Sequence, residues 1–134
     1  MRKSGSIVVG VGAVVLGALM VPASAGAQGS APSSKVCDDK ANPPATAEIQ
    51  GGCIVINRTK GNCAACHAIN GVSSGNIGPA LSSMRERFPD KAKLRAQIWD
   101  ARVANPNSIM PPFGKNAILS EDEIDKVVEF LLTL

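Results

Sequence analysis

The chain has 134 residues, 45% of them apolar and 19% charged, with a formal net charge of +3. That size suits one compact domain, and that composition argues against disorder. A single His, four Cys and only four aromatics (Phe88, Trp99, Phe113, Phe130) exclude a His-rich metal site, a Ser-His-Asp triad with a histidine to spare and a multidomain enzyme. Small folds take much of their buried area from aromatic rings, so something else is expected to help fill this core.

Residues 1–27 read as a cleaved signal peptide. Arg2 and Lys3 open it, Ile7 to Val21 is uncharged and apolar, and Ala23-Ser24-Ala25-Gly26-Ala27 offers cleavage after Ala25 or Ala27. The apolar stretch falls short of the roughly 20 residues that span a bilayer, so export to the periplasm, with no membrane attachment after cleavage, is expected. The leader carries two of the basic groups, and without them nucleic-acid binding loses its main support. Residues 54–115 hold nine basic and three acidic groups, and 116–134 one basic and five acidic. Such an asymmetry could orient a partner, or be an ordinary solvated surface.

Residues 28–47, rich in Ser, Pro, Gly and Ala, predict an irregular N-terminal arm ahead of a domain over 48–134. From Ala47 to about Arg58, Ile49, Cys53 and Ile56 recur at helical spacing, while Gly51-Gly52 either weakens that helix or lets another backbone approach. Residues 61–80 read as loop except near a Cys-His cluster. Pro89 is expected at the first helical position, with Leu94, Ile98 and Ala101 on one face of a helix that ends before Asn105-Pro106. A stiff Pro-rich loop runs to Gly114. Ser120 and Glu123 form a capping box for a last helix whose stripe is Ile124, Val127, Val128 and Leu131. No segment alternates over strand length, so the domain reads as all-α.

Cys63-Ala64-Ala65-Cys66-His67 carries the chemistry. In an exported protein this spacing reads as a c-type haem attachment site. One helical turn lets the two sulfurs form thioethers to one porphyrin, and the next residue presents imidazole to the iron. A covalent haem also accounts for the scarcity of aromatics. A zinc site needs four ligands and would leave His67 unexplained; a thioredoxin-like pair needs a βαβ setting that is missing.

With one histidine, bis-His ligation within the chain is impossible. Met110, held between Asn105-Pro106 and Pro111-Pro112, is the expected second axial ligand of the haem iron. Met84, a Lys, solvent or an open position are the alternatives. His/Met ligation raises the potential and leaves no open coordination position, which fits electron transfer. In Gly78-Pro79-Ala80-Leu81 the Pro79 carbonyl could take the imidazole proton, and Leu81 could press on the haem. Trp99 and Arg102 are candidates for the haem propionates. Cys37 and Cys53 form an even remainder that suggests a disulfide, with free thiols or intermolecular pairing as alternatives.

Gly61-Asn62-Cys63-Ala64-Ala65-Cys66-His67, Gly75 to Leu81, Asn105 to Gly114 and the ending Val127 to Leu134 together resemble class I c-type cytochromes. The resemblance is closer to the SoxX family, the smaller monohaem subunit of the SoxXA complexes of sulfur-oxidising bacteria. It covers about residues 48–134. It implies three core helices around one covalent haem c, with crossing terminal helices, and axial ligands His67 and Met110. It also implies a periplasmic heterodimer with a SoxA-like cytochrome. That complex acts as an L-cysteine S-thiosulfotransferase, oxidatively coupling thiosulfate to a cysteine of a sulfur-carrier protein (SoxY). This chain would then pass electrons to a soluble cytochrome c and hold no substrate site. A free-standing electron shuttle is the alternative.

Overall fold

The computed structural model describes residues 29–134; the signal peptide expected over 1–27 lies outside the described residues. Within them there are five α-helices and no strand: α1 (Ser34–Cys37), α2 (Ala47–Ile56), α3 (Met84–Arg87), α4 (Lys91–Trp99) and α5 (Glu121–Leu131). Two 3₁₀ turns, Cys63–Ala65 and Ala101–Val103, complete the elements. No helix among the described residues is long and apolar enough to cross a membrane.

Helix α5 forms as its sequence dictates. The Ser120 hydroxyl accepts from the Glu123 amide at 3.2 Å, and the Glu123 carboxylate accepts from the Ser120 amide at 3.0 Å. Two orphan amides are thereby satisfied, and the acidic first turn complements the positive helix end. Ile124, Val127, Val128 and Leu131 are all buried, together with Phe130.

Helix α2 crosses α5 on a face other than the expected one. Gly51, Gly52 and Val55 are buried, whereas Ile49 is exposed and Cys53 and Ile56 are half-buried. The glycines form the contact because only a residue without a side chain fits there. Helix α4 packs on α5 and buries Leu94 and Ile98; Ala101, just beyond its end, is also buried. Its start differs from expectation: Asp90 is the N-cap, accepting from the Ala92 amide at 2.9 Å, and Pro89 precedes the cap. A carboxylate able to cap outcompetes the neighbouring proline for that boundary. The helix stops at Trp99, and Asp100 caps the 3₁₀ turn that follows.

The N-terminal arm is more ordered than its composition suggests. It contains α1, and it lies on the body through Gly29 amide to Thr133 carbonyl (2.7 Å) and Ala31 amide to Asn70 carbonyl (2.9 Å). Cys37 and Cys53 are disulfide-bonded, with a Cα–Cα distance of 5.5 Å, joining α1 to α2.

The charge asymmetry of the sequence is largely consumed inside the molecule. Acids of α5 pair with bases of the body: Glu123 with Lys60, Glu129 with Lys91, and both Glu121 and Asp125 with Arg95 at 2.9 and 2.6 Å. Each exposed pair contributes little, about 0.2–1 kcal/mol, but together they hold the acidic helix against the basic body.

Candidate haem site

Asn62 turns the chain into the cluster with a left-handed φ of 48°, a conformation asparagine tolerates better than most residues. The following 3₁₀ turn is closed by the Cys66 and His67 amides, which donate to the Cys63 carbonyl at 3.1 and 2.9 Å. It puts both free thiols and the imidazole on the wall of one cavity of about 700 Å³.

The same wall holds Pro79, Leu81 and Met110. All six candidate cofactor and iron residues, from three separated segments, therefore share one enclosure. The Nδ1 of His67 donates to the Pro79 carbonyl at 2.7 Å, which leaves Nε2 as the ring's free lone pair. The loop bearing Pro79 is tied down by the Gly78 amide to the Cys66 carbonyl (2.8 Å) and the Leu81 amide to the Ala68 carbonyl (2.9 Å). Gly78 lies flat on the imidazole; a Cβ there would come within 2.6 Å of His67 Cε1. Met110 is half-buried, its amide donating to the Ser108 hydroxyl at 3.2 Å, and the Ser108 amide in turn donates to the Asn105 carbonyl at 2.9 Å.

Burial pushes the Cys63 thiol up to about 11. A sulfur that stays protonated at neutral pH is a poor nucleophile, which disfavours the redox-pair reading. Among the described residues no three His, Cys, Asp or Glu side chains are grouped to hold a metal ion. The cavity falls within the roughly 300–1,000 Å³ typical of cofactor sites. Buried Leu94, Ile98, Val127 and Leu131 supply apolar walls. A flat, largely apolar group tethered through two thiols fits this enclosure.

Trp99 and Arg102 lie apart from the cavity. Arg102 pairs with Asp100 through Nε and Nη2 at 2.8 and 3.0 Å, and Trp99 is covered by Arg95, whose Cζ is 5.6 Å from the ring centroid. The polar lining instead includes Arg58, Lys60, Arg87, Gln97, Asn105 and Asn107. Arg58 and Lys60 sit just ahead of the cluster and were detectable from that adjacency. Arg87 and Gln97 reach the cavity only once α3 and α4 fold. Met84, an alternative for the axial position, is fully buried and also reaches the cavity wall.

Comparison with known proteins places these features in a family. The family described as Cytochrome c matches residues 58–134. The chain is 34% identical over 74 residues to an uncharacterised lipoprotein of Aquifex aeolicus (strain VF5), covering 54% of this chain. It spans only about a third (36%) of that relative's length. Among solved structures it is similar to SoxXA from P. pantotrophus, with a TM-score of 0.58 and 25% identity, covering 68% of this chain and 83% of that one. Family membership implies a covalently bound haem c. The chain belongs to the cytochrome c family, and within it is SoxX-like, with an all-α class I fold.

Proposed function

We propose that this chain is the periplasmic electron-transfer subunit of a SoxXA-type complex, with one haem c attached through Cys63 and Cys66 and axially ligated by His67 and Met110. The observation that carries this reading is the convergence of the two thiols, the Pro79-oriented imidazole and the Met110 loop on one cavity. The likeness to SoxXA directs it toward that complex.

The bound haem supplies a one-electron iron couple. The chain's own residues set its environment. Hydrogen bonding of Nδ1 to Pro79 fixes the ring and strengthens Nε2 as a donor. The Asn105–Pro112 loop holds the Met110 thioether in place at small entropic cost. Leu81, Leu94 and Val127 line the cavity beside them, and the buried side chains of this apolar wall exclude water.

In the reaction assigned to such complexes, a carrier thiol and thiosulfate join through a new S–S bond, releasing one proton and two electrons. A one-electron relay must therefore cycle twice per bond formed. In this reading the sulfur chemistry belongs to a SoxA-like partner, and this chain hands the electrons to a soluble cytochrome c.

Co-expression with a SoxA-like cytochrome tests the assignment. The expected result is a stable heterodimer that reduces cytochrome c in the presence of thiosulfate and a sulfur-carrier protein. A monomer that ignores the SoxA-like chain while exchanging electrons with an oxidase would instead make it a free-standing shuttle.

A further inference from the structure

Arg87, at the end of α3, lines the cavity, but its hydrogen bonds run elsewhere. Among the described residues no carboxylate pairs with it, unlike Arg95 and Arg102. Its guanidinium turns back into its own loop. Nη1 donates to the Ala80 carbonyl at 2.7 Å and lies 3.3 Å from the Ser82 carbonyl and 3.4 Å from the Met84 thioether sulfur. The Phe88 ring lies 5.9 Å below its Cζ. Ala80 is joined directly to Pro79, whose carbonyl accepts from His67.

We propose that Arg87 is a positioning residue for His67: its guanidinium clamps the 80–82 backbone and thereby holds the Pro79 carbonyl against the imidazole Nδ1. The inference rests on His67 being the iron ligand. Three ties then flank that acceptor. The Gly78 and Leu81 amides anchor it to the segment after the cluster, and Arg87 anchors it from the far side. Hydrogen bonds from a charged donor to carbonyls are stronger than neutral ones, and Nη1 lies within reach of both the Ala80 and the Ser82 carbonyl. The same nitrogen lies 3.4 Å from Met84 Sδ, the second thioether at the cavity wall.

The test uses the haem-loaded protein in its reduced state, reading solvent exchange of the His67 Nδ1 proton by NMR, with the Val128 amide in α5 as internal reference. In Arg87→Gln the Nδ1 proton should exchange at least about tenfold faster, the scale of losing one hydrogen bond to a charged group. Arg87→Lys should fall between the two, and Glu86→Gln should match wild type. Exchange within twofold of wild type in Arg87→Gln overturns the proposal, as does equal acceleration of the Val128 amide, which signals general loosening. If Arg87→Gln fails to accumulate, the same criteria applied to Arg87→Lys decide. A wild-type protein whose His67 ring protons show no haem ring-current shift would refute the ligation itself rather than the clamp.

Discussion

Gly51 of α2 rests directly on the backbone of Lys126 in α5, so close that a Cβ would come within 1.9 Å of the Lys126 carbonyl oxygen. The crossing of these two helices depends on that contact, because backbone atoms cannot yield as a flexible side chain can. Overpacking of a tight site costs about 1–3 kcal/mol and occasionally more. Gly51→Ala is expected at the upper end, near 3 kcal/mol, despite the better helix propensity of alanine. Urea unfolding of the two proteins measures it, and a more stable variant would contradict this account of the crossing.

The Cys37–Cys53 bond closes a loop across 16 positions. On the chain-entropy account a loop of that length contributes about 3 kcal/mol by restricting the unfolded chain. The Cys37→Ser/Cys53→Ser protein should unfold earlier in denaturant by that amount while keeping its visible spectrum, since neither residue lines the cavity. An altered haem spectrum would show that the arm reaches the site.

Asp100 is the buried charged residue of the body. Hydrogen bonding from Arg102 holds its carboxyl well below the usual carboxylate range, with burial opposing and Lys115 assisting. A carboxyl depressed by folding stabilises the protein above its unfolded value, about 3.9, and that contribution fades as pH falls through the folded value. Asp100→Asn should therefore be less stable than wild type at pH 7, with the gap narrowing below about pH 4. Denaturation series at several pH values check the sign; a gap that widens in acid would overturn it.

Two thioethers face the cavity, and they should respond differently. Met110→Ala is expected to abolish the long-wavelength sulfur-to-iron charge-transfer band and lower the reduction potential, because methionine ligation raises it. Met84→Ala should keep the band but lose about 2–5 kcal/mol of stability, as a fully buried side chain removed from the core. Optical spectra and redox titration of both variants separate ligand from filler. Exchange of these two outcomes would assign the ligand to Met84.

Local signals in the sequence carried the fold far. The Ser120–Glu123 box, the α5 stripe and the Leu94–Ile98–Ala101 face are periodic and short-range, so they can be seen without tertiary knowledge. The face of α2 could not be seen, because its contact is made by Gly51 and Gly52, which a pattern of apolar side chains passes over. Asp90 displaced Pro89 at the start of α4 for a reason the sequence contained, a capping carboxylate beside a proline. The thiols, imidazole and Met110 were legible as motifs, and their meeting at one cavity follows from the fold. Arg87 was not legible, since its partners are backbone carbonyls, which leave no mark in a sequence. Trp99 is covered by Arg95 one turn before it in α4, and Arg102 is drawn to Asp100 where that helix ends.

Intact mass analysis of the protein purified after export, followed by peptide mapping, reads the haem attachment itself. One haem is expected on top of the polypeptide mass, carried on the peptide that contains Cys63 and Cys66 and retained after denaturation. A colourless protein at the bare polypeptide mass, with both thiols free to alkylation, would contradict it.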